Sequence, residues 1–233
     1  MIVDTDFDVF SDTPSGKDPD KYSPTLRKYH QYLWSKPLPD GTLFTLTDTK
    51  AGTYLYHLSA KGEFQLSSDA FSNTFQCVNR MIPITSLIHE DRMAEFFRLC
   101  STIGAYILFP GNMIDKKRTI NMARGCHPKI RDRIDLTLEC IRRHYIRQES
   151  PLSEVLERYS DFFDLFHSFD GYVEFFLLSD LVDKGQVRFF LPSENFQRDG
   201  YPENVEEYRA VMHSTTDFVN RRNRRISELG TDG

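Results

Sequence analysis

The sequence has no apolar run long enough to cross a bilayer; its most hydrophobic stretch, GYVEFFLLSDLV, is broken by Glu174 and Asp180. The four cysteines, Cys77, Cys100, Cys126 and Cys140, form no CxxC pair and share no metal-ligand rhythm. They read as buried hydrophobes or free thiols of a reducing compartment. The opening MIVDTDFDVF has neither a basic n-region nor an apolar h-region, so no signal peptide is expected. These absences predict a soluble, cytoplasmic protein. There is no HExxH, no His-x3-His and no GxSxG, which leaves metal and serine-hydrolase chemistry without a foundation; no metal site is expected. SGKD at 15–18 lacks both the upstream glycine and the Ser/Thr that a phosphate loop needs. Asp4, Asp6 and Asp8 alternate as in a calcium loop but lack its glycine and terminal Glu. Tryptophan is nearly absent, with one residue against 19 Phe and 11 Tyr, so the core is expected to be built largely of phenyl and phenol rings. A net charge of −5 argues against a chain devoted to nucleic acid or anionic membranes, and neither is expected as a partner.

What is present is unevenly charged. Residues 1–20 hold six aspartates and one lysine, which suggests a solvated acidic arm. Residues 116–147 carry ten Lys or Arg against three acids, and residues 149–184 carry nine acids against two bases. Neighbouring helices that neutralise each other explain such blocks without a ligand.

The coarse reading is a helix-rich α+β fold with a small, mostly antiparallel sheet. Residues 1–22 form an acidic irregular arm, and residues 23–233 a single α+β globular domain. Ser23 and Pro24 read as the cap and first turn of a helix to Trp34. TLFTLT (42–47) and TYLYHLS (53–59) alternate with period two and predict a hairpin through DTKAG, with a third short strand at 63–66. Helices are expected at 68–75, 91–102 and 128–147. Others are expected after Ser150, from near Tyr172, and from about 203 to 229. AYILFP (105–110) and QVRFFLP (186–192) read as strands.

TINMARG, DRIDLTLECIRRHY and GYVEFFLLSDLV, with SDTPSGKDPDKYSPTLRKYHQYLWSKPLP near the start, resemble an uncharacterised family of bacterial proteins known only as a domain of unknown function. The resemblance spans most of the chain. It implies an intracellular single-domain protein and transfers no activity, cofactor or catalytic residue.

The segment 128–147 concentrates the chemistry. On a helical wheel, Ile130, Ile134, Leu138, Ile141 and Tyr145 form a core stripe, and Leu136 with Cys140 a second apolar strip. Arg133 and His144 fall between them. Asp132, Asp135, Glu139, Arg142 and Arg143 fall on the outer side as surface charges, with Glu139–Arg143 and Arg131–Asp135 as pairs. A guanidinium in apolar surroundings needs a carboxylate or an anionic ligand. Just upstream, Asn121 and Arg124 approach a helix start that offers free N–H groups, with Gly125 permitting a tight turn. Asn121, Arg124, Arg133 and His144 are therefore the candidate ligand-binding residues, for a small phosphate- or carboxylate-bearing ligand such as a nucleotide. The competing readings make Arg133 half of a buried ion pair and His144 a satisfied core histidine. His57, on an early strand, is similar in placement to a nicotinamide-site histidine of ADP-ribosyltransferases, a likeness carried by one residue. NRRNRRISEL (220–229) suits a helix C-terminus. With the acidic arm it defines the alternative, a non-catalytic protein- or nucleic-acid-interaction module. The sequence does not decide whether the protein is an enzyme.

Overall fold

The computed structural model describes residues 1–48, 52–70, 74–192 and 196–229. The helices are α1 Pro19–Tyr22, α2 Pro24–Trp34, α3 Ile82–Thr85, α4 Glu90–Cys100, α5 Ile120–Cys126, α6 Ile134–Tyr145, α7 Ser153–Arg158, α8 Ser160–Asp164, α9 Phe169–Phe175 and α10 Val205–Leu229. The strands are β1 Lys36–Pro37, β2 Leu43–Phe44, β3 Leu55–Ser59, β4 Gly62–Ala70, β5 Tyr106–Pro110, β6 Val182–Asp183 and β7 Gln186–Val187. The fold is helix-rich α+β with small antiparallel sheets, and no helix among the described residues is long and apolar enough to cross a membrane.

Ser23 does cap α2: its hydroxyl accepts from the Leu26 amide, and Pro24, which lacks an N–H, opens the first turn. The central sheet has the order β3-β4-β5. β5 is buried along its whole length, in keeping with its uninterrupted apolar run. β4 forms a hairpin with β3 and continues to Ala70, so residues 68–70 are strand and not helix. Three side chains in that stretch, Ser67, Ser68 and Asp69, are bonded to Asp20 or Arg124, which ties the extended backbone down. Residues 71–73 lie outside the described residues.

The hairpin expected between 42–47 and 53–59 is corrected. β2 pairs with β1 and β3 with β4, leaving a single Thr47–Tyr56 bridge between the two runs. The deciding local signal is Asp40-Gly41. Gly41 has φ +83°, and Asp40 accepts from both the amide and the hydroxyl of Thr42, which folds Leu43 back on Pro37 and Phe44 on Lys36. Part of DTKAG, residues 49–51, lies outside the described residues.

The long helix of 128–147 starts six residues late. Arg131 and Asp132 hold left-handed φ values of 51° and 62°, and Arg133 is an extended N-cap with ψ 124°. The next helix starts at Ser153, with Leu152 in the N-cap position, and not directly after Ser150. It breaks again at Tyr159, whose ring is pinned by a 2.8 Å bond from its hydroxyl to the Asn112 carbonyl. Ser168 caps α9 ahead of Tyr172. QVRFFLP supplies only the two residues of β7.

The main core is dominated by rings: Trp34, Phe44, Phe162, Phe163, Phe166, Tyr172, Phe175 and Phe176 pack at centroid separations of 5.0–6.3 Å. Val3 and Val9 are buried in it, so the acidic first residues are anchored to the body while Asp4 and Asp6 face solvent. A second cluster of Phe75, Met81, Met93, Tyr201 and Tyr208 sits apart. α10 joins the two, with Tyr208 in the small cluster and Phe218, Val219 and Ile226 in the large one. Near its end Arg222 is buried, donating to the carbonyls of Phe176, Gly104 and Tyr106. Gly104 is required there, since a Cβ would stand 2.1 Å from Asn223 Oδ1.

Candidate functional site

The expected site residues are placed as follows. Asn121 and Arg124 lie one turn apart on α5 and face β4. The Asn121 amide reaches the Ser67 carbonyl at 3.4 Å, and Arg124 donates to Asp69 at 2.5 Å. Arg124 is fully buried; it also donates to the Asp132 carbonyl at 2.6 Å and the Thr137 hydroxyl at 3.3 Å. The two left-handed residues before α6 deliver that carbonyl. Gly125 admits the Asp132 carboxylate, which would lie 3.0 Å from a Cβ.

Arg133 is buried, and its guanidinium forms a two-pronged pair with Asp135: Nε to Oδ1 at 3.1 Å and Nη2 to Oδ2. Asp135 was read as an outward charge; it is wholly buried, and it also accepts from the Phe190 amide at 2.9 Å. Extended backbone at Arg133 turns the wheel reading of its neighbours, because the helical period starts only at Ile134. Glu139 is buried too, clasped by Arg142 and Arg143 at 2.7 Å each, and together they hold its carboxyl below the usual range against the opposing effect of burial. Arg131 meets Asp199 at 3.8 Å and not Asp135. Across the two charge blocks lie the contacts Lys117–Glu154 at 3.2 Å, His144–Glu157 at 3.8 Å and Arg147–Glu157 at 3.9 Å.

His144 stands at the far end of α6. Eleven residues at about 1.5 Å each put it roughly 16 Å along the axis from Arg133. Its ring packs on Phe163 at 5.2 Å, with Nδ1 3.8 Å from Glu157, and burial lowers its pKa. So Asn121 and Arg124 meet, Arg133 adjoins them through Thr137, and His144 belongs elsewhere. His57 is buried, stacked on Phe44 at 4.1 Å, and its Nδ1 lies 3.2 Å from the Thr45 backbone. It is a core group.

A second polar knot joins the arm to the sheet. Asp20, almost fully buried, accepts from the Ser68 amide at 2.7 Å, from the Ser68 hydroxyl and from the Ser67 hydroxyl at 3.2 Å. Burial pushes its carboxyl up to about 7. His30 Nε2 is 3.8 Å away, and burial followed by the charges of Arg222 and Arg27 pushes that imidazole down to about 3.

A cleft open to solvent lies elsewhere. α4, α10 and the N-terminal segment bound a cleft of about 560 Å³, within the range of about 300–1,000 Å³ common for small-molecule sites. Ile88, Phe96, Leu99 and Met212 supply apolar wall, and Arg92, Arg98 and Arg209 supply positive charge. Arg92 has Glu95 at 3.4 Å. Arg98 and Arg209 have no carboxylate oxygen within 4 Å among the described residues. His89 and His213 also line it, 3.4 Å from Asp91 and 3.5 Å from Asp217. Sequence reasoning missed this cleft. Its signal is two mostly polar stripes at helical spacing, 92-95-99-102 and 209-212-216-220, each interrupted by one apolar residue (Leu99 and Met212), which read as wet faces until the helices are known to oppose each other. Among the described residues no group of three or more His, Cys, Asp or Glu could hold a metal ion.

No curated protein and no solved structure matches the chain. A family model described as a family of unknown function (DUF6994) matches residues 3–226, and the chain belongs to that family.

Proposed function

We propose that the protein binds a small phosphate- or carboxylate-bearing ligand, and that the α4–α10 cleft is where it does so. One observation carries this reading: Arg98 and Arg209 line a cleft of small-molecule size and carry charges that no described protein carboxylate neutralises within 4 Å. A guanidinium suits phosphate and carboxylate groups, which accept its parallel N–H donors. The corner at α5 and α6 supports the reading less well, because Arg124 and Arg133 already hold Asp69 and Asp135. The arginine-rich end of α10 gives little to the interaction-module alternative: Arg222 is buried and Arg225 is paired with Asp180, which leaves Arg221 and Arg224 exposed. A cytoplasmic location belongs to the same reading and rests on four free thiols, two of them exposed.

Isothermal titration with inorganic phosphate and pyrophosphate, at fixed ionic strength, tests it. The wild-type chain is expected to bind, and Arg98→Ala with Arg209→Ala to lose at least about tenfold, since a charged hydrogen bond contributes about 1.5–3 kcal/mol. Unchanged binding in the double variant, or no binding by the wild type, overturns it.

A further inference from the structure

We infer that the anion this cleft takes is the phosphate of a nucleoside monophosphate, with the ribose and base held by the rest of the same walls. The inference rests on the cleft being an anion site, and deepens it. Three features narrow the ligand. About 560 Å³ is far more room than an inorganic anion fills, so the ligand carries a body as well as a charge.

The body has an apolar side. Ile88 and Leu99 from the α4 wall and Met212 from α10 are only partly buried, and they offer side-chain carbon to the cleft. Methionine and branched aliphatic groups of this kind pack against flat rings. The body also has hydrogen-bond donors. Asp6 and Glu95 line the cleft alongside the arginines, and a wholly anionic or wholly apolar ligand would meet them unfavourably. Sugar hydroxyls would bond to these carboxylates. Thr216 and Asn220 add neutral donors and acceptors on the α10 wall to meet the edge of a base. An anionic head, vicinal hydroxyls and a flat ring in one molecule describe a nucleotide. A fatty acid lacks the hydroxyls, and a sugar phosphate lacks the ring. Glu95 already holds Arg92 at 3.4 Å, so Arg98 and Arg209 are the residues assigned to the phosphate.

The test is calorimetric titration of the full chain with inorganic phosphate, ribose 5-phosphate and the four ribonucleoside monophosphates at one ionic strength. Burying roughly 60 Å² of base at about 25 cal/mol per Å² is worth about tenfold in affinity. At least one nucleoside monophosphate is therefore expected to bind about tenfold more tightly than ribose 5-phosphate. Leu99→Ser with Met212→Ser, which adds no charge beside Arg98 and Arg209, is expected to erase that gain and bring the nucleoside monophosphates level with ribose 5-phosphate; both side chains are partly exposed, and far-ultraviolet circular dichroism confirms that the variant folds. Phosphate that binds through Arg98 and Arg209 with no nucleoside monophosphate binding more tightly overturns the nucleotide inference and leaves the anion site standing. A base-dependent gain that survives in the double variant also overturns it, because the base then lies elsewhere. No binding of any of these anions overturns both.

Discussion

Replacing Arg133 with alanine leaves the Asp135 carboxylate buried beside an empty space. In the wild type that carboxylate has two guanidinium bonds and the Phe190 amide, and none of its surface reaches water. Removing one partner of a buried pair costs about 3–5 kcal/mol, because the remaining charge keeps its desolvation penalty and loses its compensation. Against a typical stability of about 5–15 kcal/mol this is about a fifth of the total or more. For a chain of this size about 2–4 °C is lost per kcal/mol, so the melting temperature should drop by roughly 6–20 °C. The double replacement Arg133→Met with Asp135→Leu behaves differently. It removes both charges, and its main loss is the partner of the Phe190 amide, about 1–3 kcal/mol. It should therefore sit closer to the wild type than Arg133→Ala does. Urea unfolding of the wild type, Arg133→Ala, Asp135→Ala and the double variant gives all the values needed. The reasoning fails if Arg133→Ala lies within about 1 kcal/mol of the wild type, or if the double variant loses as much as the two single losses summed.

The Asp20–His30 contact makes a prediction about pH. Asp20 has a raised folded pKa, so its contribution is full below about 3.8 and is lost as pH rises to about 7. His30 has a depressed one, so its contribution is full above about 6.5 and is lost as pH falls to about 3. The penalty of Asp20→Asn should shrink as pH rises from 4 to 7, and that of His30→Phe should grow from 3 to 6.5; urea midpoints that run parallel to the wild type across pH refute both. Arg222→Met strips donors from three carbonyls and should cost about 3 kcal/mol or more, read from thermal melts. Arg221→Ala with Arg224→Ala should leave binding to duplex DNA or RNA as weak as in the wild type; tight, salt-sensitive binding that vanishes in this variant would reverse the reading of α10.

Local chemistry made some of this legible in the sequence. Ser23-Pro24 announced α2, and the unbroken AYILFP announced β5. The demand that Arg133 find a carboxylate or an anionic ligand depended only on the cost of stranding a charge, and Asp135 meets it. That partner's identity was hidden, because two non-glycine residues adopt left-handed backbone and reset the phase of the helix behind them. Asp135 then turns inward where a continuous helix would turn it out. Strand pairing was hidden for another reason: alternation tells which face of a strand is buried and not which neighbour it chooses. The cleft was unreadable because its walls are contributed by segments more than 100 residues apart, each polar enough to pass for surface.

Because α10 runs from the small aromatic cluster into the large one, its amide protons are shielded by two different bodies of packing. Tyr208 and Met212 lean on the few side chains around Phe75 and Met93, whereas Val219 and Ile226 are held by the main core. Opening the small cluster exposes far less apolar surface than global unfolding, so it should occur far more often. Exchange with deuterated solvent should accordingly run at two rates along one unbroken helix, faster near residue 208 and slower near residue 222. The wall that carries Arg209 and Met212 would then breathe on a shorter timescale than the rest of the molecule, and a ligand seated against it would reveal itself first as slowed exchange in that half of the helix alone.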